Sequence, residues 1–333
     1  MATVRLTKRL EFSASHRYHN PAWSDEQNRA TFGSCNNLHG HGHNYLLEVT
    51  IQGAVDPATG MVVNLYDVKQ VLQGVMEEFD HKDLHLDTAI FHGRIPTTEN
   101  LSVVLWDRIA EKAQGFQLSR IRLFEEEDLY VDYEGAQRGD APEVALTRRY
   151  QFSAAHRLHS PALSEEDNRK VFGKCNNPNG HGHNYTVAVT VRGSIHPETG
   201  MVTNLDQLDR VVDECVIRRF DHQHLNYDKA FAETVTTGEN LVILLWQLLE
   251  NALPDGTLNR IGLVETRDNY FEYSGEKSTA KTGRPAVQTG SSSITPTHPE
   301  AVRTASFPDA PTRPEPAGTG SGPGERAPAG KLR

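Results

Sequence analysis

The chain has 333 residues, of which 37% are hydrophobic and 23% charged, with a formal net charge of -10. That length accommodates roughly two domains of ordinary size. No run of about 18 apolar residues and no apolar signal-peptide stretch occurs, so a membrane span is excluded and a cytoplasmic location is expected. No Lys/Arg-rich block stands out against the acidity, which argues against nucleic acid or an anionic membrane as partner.

From the N-terminus, LTKRLEFSASHR (6–17) and NYLLEVTIQGAV (44–55) alternate polar with β-branched or aromatic residues and end at the turn-rich DPATG, predicting two paired strands. LYDVKQVLQGVMEEF (65–79) and NLSVVLWDRIAEKA (100–113) space apolar residues by three and four, predicting two helices, the second opened by a threonine able to cap it. RIRLFEEEDLYVDYEG (120–135) returns to strand-like alternation. The whole pattern then repeats. RLEFSASHRYHNPAWSDEQNRATFGSCNN (9–37) is answered 140 positions later by RYQFSAAHRLHSPALSEEDNRKVFGKCNN (149–177), and DPATGMVVNL by HPETGMVTNL (196–205). The offset slips to 141 at FDH (79–81 and 220–222) and is 140 again at Glu99 and Glu239. Copies of this length mean domain duplication, not a solenoid, whose units run about 20 to 50 residues. Two modules are therefore expected, 1–137 and 138–275, each an α+β unit of order ββααββ with two helices on one face of an antiparallel sheet. The stretch 276–333 holds 9 Pro, 7 Gly and 6 Ser and no apolar periodicity, the composition of a disordered tail. It carries 8 Lys/Arg against 5 Asp/Glu, so the acidity belongs to the modules.

The chemistry centres on FGSCNNLHGHGHNY (32–45) and FGKCNNPNGHGHNY (172–185). Residues i and i+2 of a strand share a face, so His41 and His43, like His181 and His183, present paired imidazoles with glycine between them. His16 or His156 from the preceding strand supplies a third nitrogen. Three histidines with an open fourth position form the pattern of a catalytic zinc, whereas structural zinc closes its site with four protein ligands. A single His-x-His is a common surface feature; its recurrence beside a third histidine favours the metal. Cys35 and Cys175, in an odd set of three cysteines too sparse for a disulfide framework, read as working thiols. As zinc ligands they would close the open site, so an acid–base role is preferred, the thiol lowered by a nearby cation. Cys215, within an apolar helix and unmatched in the first copy, reads as a small core residue.

Asp80-His81 and Asp221-His222 offer a carboxylate that orients an imidazole, a proton relay. Glu99 and Glu239 stand at helix starts, where capping and the helix dipole account for them. Glu125 and Glu265 follow apolar runs, where a carboxylate is costly unless paired. The amidine-like edge of a heterocycle would suit it. His19, His39, His92 and His159 read as ordinary polar residues.

SASHR/SAAHR, the CNN…HGHNY phrase, TGMVxNL, FDH, TTEN and VET, in that order, resemble the 6-pyruvoyltetrahydropterin synthases of the tunnelling fold, twice over, across residues 5 to 275. The resemblance implies zinc on His16, His41, His43 and on His156, His181, His183, one ion per module, with magnesium able to accompany a triphosphate. It implies Cys35 and Cys175 as general bases, Asp80-His81 and Asp221-His222 as relays, and Glu125 and Glu265, with Thr97 and Thr237, as contacts to a pterin. The implied reaction removes triphosphate from 7,8-dihydroneopterin triphosphate and leaves a dioxo side chain without net redox, in tetrahydrobiopterin-type synthesis. The fold implies barrels of modules, hence a homo-oligomer with sites at module interfaces; three tandem chains would supply six modules. LHGH in the first copy is also similar to 6-carboxytetrahydropterin synthases of the queuosine and 7-deazaguanine route. A catalytically idle zinc-binding scaffold is the reading from another class. The copies differ at Ser34/Lys174, Leu38-His39/Pro178-Asn179, Thr98/Gly238 and Glu126/Thr266.

Overall fold

A computed structural model describes residues 2–136, 141–253 and 257–276, the expected tail lying outside them. In the first module, β1 (Thr3–His16) and β2 (His41–Ala54) pair antiparallel along their whole length, from Thr3 opposite Ala54 to His16 opposite His41. Between them lies a short helix that the sequence reading did not anticipate, α1 (Asp25–Phe32), closed at its start by a capping box of Ser24 and Gln27. Helices α2 (Leu65–Met76) and α3 (Thr98–Lys112) follow, N-capped by Asn64 and Thr97, with the two-residue strand β3 (Lys82–Asp83) between them. A hairpin of β4 (Gln117–Glu126) and β5 (Leu129–Tyr133) completes the module.

The second module repeats this as β6 (Glu143–His156), α4 (Glu165–Phe172), β7 (His181–Ser194), α5 (Leu205–Val212), α6 (Arg218–Phe220), β8 (Gln223–His224), α7 (Gly238–Leu249), β9 (Thr257–Thr266) and β10 (Asn269–Tyr273). Between α5 and α6, residues Asp213–Ile217 form a π-helical turn. A π turn absorbs one extra residue within a helix, which accounts for the slip of the repeat from 140 to 141 at this point.

All ten strands belong to one sheet, in the order β10-β9-β7-β6-β5-β4-β2-β1-β3, with β8 beside β6. It is mixed, because β3 and β8 pair parallel to β1 and β6; the remaining pairs are antiparallel. The α+β layering is as expected, and the sheet is not closed within one protomer. Alternation places Tyr45, Leu47, Val49 and Ile51 of β2 on the helix-covered face, all fully buried beneath residues such as Leu72, Leu101 and Leu105. Each contributes about 1.5–3 kcal/mol of burial. His41 and His43 continue the same stripe beyond Tyr45, so the histidines stand where the core's apolar face ends.

The modules join where β5 pairs with β6, Leu129 opposite Arg148 through Asp132 opposite Ala145. The segment 196–204 of the second module also lies against the first. Thr97 Oγ1 donates to Gly200 O (2.6 Å), Val202 N to Glu99 Oε1 (3.0 Å), Asn204 Nδ2 to Thr31 O (2.9 Å) and Asn20 Nδ2 to Glu198 O (3.0 Å).

Candidate active site

The strand register brings each histidine set together. In the first module the donor nitrogens of His16, His41 and His43 all lie within 4.8 Å of one another, and the same holds for His156, His181 and His183. Nε2 of His16 faces Nε2 of His41 at 3.1 Å, and Nε2 of His156 faces that of His181 at 3.2 Å. His156 Nδ1 lies 2.8 Å from the carbonyl of Thr236, which can only accept, so Nδ1 carries the proton and Nε2 the free lone pair. Burial, then the neighbouring His41 and His43, holds His16 down at about 3, a neutral ligand across the physiological range. Burial likewise lowers His41, His156 and His181. His43 Nε2 is buried without a hydrogen-bond partner, a state a metal would relieve. Three imidazoles with converging nitrogens fit a divalent cation of borderline softness. The glycines before the pairs, Gly40 and Gly180, have φ of 66° and 72°, and a Cβ on either would lie 2.7–2.8 Å from the carbonyl oxygen of His16 or His156.

Beside the first set lies a cavity of about 270 Å³ lined by His41, His43, Cys35, Glu125 and, from the second module, Asp206 and Asp209. Glu125 Oε1 is 3.5 Å from His43 Nε2. Its Oε2 accepts from Tyr18 Oη (3.2 Å) and from the hydroxyl of Thr98. The thiol runs against expectation: burial, Glu125 and Asp206 push Cys35 up to about 12, so the polypeptide alone favours the protonated form. In the second module Glu265 Oε1 stands 3.8 and 4.0 Å from Nε2 of His156 and His183. There Leu158 and Gly238 replace Tyr18 and Thr98, and Glu265 is met instead by Asn269 Nδ2 at 3.1 Å and Tyr185 Oη at 3.5 Å. The ring of Phe271 occupies the space that a Cβ at Gly238 would need. Cys175, like Cys35, is half-buried, and Cys215 packs against the core.

The two Asp-His pairs are built alike. Asp80 Oδ1 accepts from Ser13 N (2.9 Å) and lies 2.9 Å from His81 Nδ1; Asp221 accepts from Ser153 N (2.8 Å) and lies 2.8 Å from His222 Nδ1. Hydrogen bonds from Ser13 and His81 hold Asp80 below the usual carboxylate range, and those from Ser153 and His222 do so for Asp221. Both imidazoles are exposed, and His81 and His222 are the non-glycine residues with positive φ, 57° each, among those described. Strained backbone of this kind persists where tertiary contacts enforce it. Here the contact is the 2.6 Å bond from His81 N to Ser13 O, repeated from His222 N to Ser153 O. His81 shares a cavity with His43, and His222 one with His183, but neither pair lines the cavity that holds Cys35.

Glu99 stands in the first turn of α3, as its helix-start reading implied, and Thr97 is the cap, accepting from Asn100 N; beyond that reading, Glu99 is 3% exposed and spans the module junction. Burial raises its carboxyl to about 7. Its counterpart Glu239 is exposed, and Thr237 caps α7 as Thr97 caps α3. Thr97 commits its hydroxyl to the cap and to Gly200, so Thr98 is the threonine that reaches Glu125. Asp206 was also missed, because its counterpart in the first copy is Tyr66 and no repeated pattern marks it.

Among known proteins, the family described as 6-pyruvoyl tetrahydropterin synthase matches this sequence twice, at residues 5–136 and 145–276. The human 6-pyruvoyl tetrahydrobiopterin synthase is 48% identical over 135 residues, 40% of this chain and 93% of the human protein. A putative 6-carboxy-5,6,7,8-tetrahydropterin synthase of Archaeoglobus fulgidus is 36% identical over 92 residues, 28% of this chain and 73% of its own length. The solved Caenorhabditis elegans 6-pyruvoyl tetrahydropterin synthase is 41% identical and covers 41% of this chain and 98% of its own, with a TM-score of 0.40.

Proposed function

The chain belongs to the 6-pyruvoyl tetrahydropterin synthase family, present as two tandem copies, and from that premise we propose that it is a zinc-dependent lyase releasing triphosphate from 7,8-dihydroneopterin triphosphate. The observation that carries the reading is the convergence, in each module, of three imidazole nitrogens beside a glutamate, buried in the first module and largely buried in the second, with a cysteine lining the same cavity in the first. His16, His41 and His43, and their counterparts His156, His181 and His183, hold one zinc per module. Zinc held by these histidines would supply Lewis acidity, making a neighbouring substrate C–H and the nearby thiol more acidic.

The protein's own groups do the rest. Glu125 or Glu265 accepts from the N–C–N edge of the pterin and fixes the ring, which a buried carboxylate does well because water does not compete. Cys35 or Cys175 takes the proton from that carbon as the adjacent C–O bond to triphosphate breaks. His81 or His222, oriented by its aspartate, returns a proton as the enol rearranges to the dioxo product. Oxidation state is conserved overall, so no redox cofactor is needed. Each relay carboxylate accepts from a backbone N–H and lies against its imidazole, which keeps the acid ionised and the ring aligned.

The test is incubation of zinc-loaded protein with 7,8-dihydroneopterin triphosphate, products being followed by mass spectrometry. Free tripolyphosphate with 6-pyruvoyltetrahydropterin is expected. Acetaldehyde with a carboxypterin would assign the 6-carboxytetrahydropterin reaction instead, and intact zinc without turnover would assign a scaffold.

A further inference from the structure

The junction between the two modules is a built interface, and among the described residues each end of the sheet displays one half of it unpartnered. Met201, in the second module's TGMV loop, is 7% exposed because it lies against the first module; its counterpart Met61 is 45% exposed, with Leu65 and Tyr66 beside it also exposed. Conversely, Tyr130 on the first module's side is 4% exposed and its counterpart Tyr270 is 55%, and Val171 of the second module is also open. Glu99 is buried at the junction, Glu239 exposed. The edges agree. β5 pairs with β6 inside the protomer, and their counterparts β10 and β1 lie at the far ends of the sheet, β1 flanked there, among the described residues, only by the two-residue β3. Extending the register places Tyr270 opposite Thr7 and Glu272 opposite Arg5, the latter an opposite-charge pair.

We propose that a second copy of this chain seats its 58–69 segment and β1 on the open face of module two, and that the site completed this way, between protomers, takes the triphosphate, while the site completed within one protomer does not. The proposal rests on the reading of a pterin triphosphate as substrate.

Charge separates the two sites. Within one protomer, five of the positions lining the Cys35 cavity, Ser34, Glu126, Arg148, Asp206 and Asp209, carry a net of -2 in addition to Glu125, which Glu265 matches in the other module. Arg148 is already shared among Glu126 (3.7 Å), Asp128 (3.0 Å) and Asp209 (3.6 Å). Asp206 Oδ2 lies 2.6 Å from where a Cβ of Gly33 would stand, so that carboxylate closes over the loop carrying Cys35. Between protomers, the same five positions are Lys174 and Thr266 of one copy with Lys8, Tyr66 and Lys69 of the other, a net of +3. Lys69 and Lys174 are exposed in the single protomer and free to meet a polyanion. A change of five charges around a partly enclosed site decides the placement of a ligand bearing roughly four negative charges. Glu125 is also held on one oxygen by Tyr18 and Thr98, whereas Glu265 lacks both hydroxyls. The contact is head-to-tail.

Inorganic tripolyphosphate titrated into the zinc-loaded full-length protein by calorimetry is the probe. One site per protomer is expected, weakened at least about tenfold by Lys69→Glu or by Lys174→Glu, two exposed positions whose change leaves the core untouched. Coexpressing the two variants should restore about a quarter of the sites, because only a Lys174 module facing a Lys69 partner is intact, whatever the ring size. Two equal sites per protomer, unchanged binding in either variant, or no recovery in the mixture overturns the proposal. Tripolyphosphate bound as expected, with no turnover of the pterin substrate, supports this site while sinking the proposed reaction.

Discussion

Glu99 provides a direct measure of what the module junction costs. Its carboxyl is 3% exposed, accepts from Val202 N at 3.0 Å, and is raised from 4.5 to about 7, first by burial and also by repulsion from Glu125. Between those two values the folded protein binds more protons at this position than the unfolded one. Stability therefore falls as pH rises through that window and levels off above it. At 1.36 kcal/mol per pH unit, the full loss is about 3 kcal/mol. Glu99→Gln keeps an oxygen for Val202 N but removes the charge. The variant should exceed wild type by under about 0.5 kcal/mol at pH 4.5 and by about 3 kcal/mol at pH 8, read from urea midpoints at the two pH values with matched slopes. An equal difference at both pH values, or a variant less stable at pH 8, would refute the assignment of the cost to a buried charge at the junction.

Elemental analysis of protein prepared with zinc should find about two ions per protomer, falling to about one in His43→Ala or His183→Ala, with the full complement retained in Cys215→Ala. Asp80→Asn and Asp221→Asn, made together, should lower kcat by about 100-fold with little change in KM, since the carboxylate orients a proton-transferring imidazole and does not touch the pterin; a loss confined to KM would contradict the relay. Gly180→Ala should cost at least about 1–3 kcal/mol in thermal or denaturant unfolding, because its φ is 72° and the new methyl meets the carbonyl of His156. The neighbouring Gly182→Ala, without positive φ, is expected to cost less.

The duplication, the order of elements and both histidine sets were legible in the sequence because each depends on local periodicity. Alternation in a strand dictates that His41 and His43 share a face with Tyr45 and Leu47, and a matching strand carrying His16 completes the set. Asn64, Thr97 and Thr237 announce helix starts by a mechanism confined to a few residues. The helices α1 and α4 escaped because their eight residues carry little apolar periodicity, and their main signal is the Ser24 or Ser164 cap.

What the sequence determined by itself was thus the content of each module: which side chains a strand or loop presents, twice. Which copy of each surface is covered was decided only in three dimensions. Met61 and Met201, Glu99 and Glu239, Tyr130 and Tyr270 are the same residues in the same local patterns, yet one of each pair is buried and the other exposed. The reason is that β5 pairs with β6 within the protomer while β10 and β1 are left at its ends, and contacts such as Thr97 with Gly200 and Glu99 with Val202, each 103 residues apart, leave no trace in the periodicity of either segment. Only that packing brings Asp206 to Cys35 and turns two copies of one motif into two unlike sites.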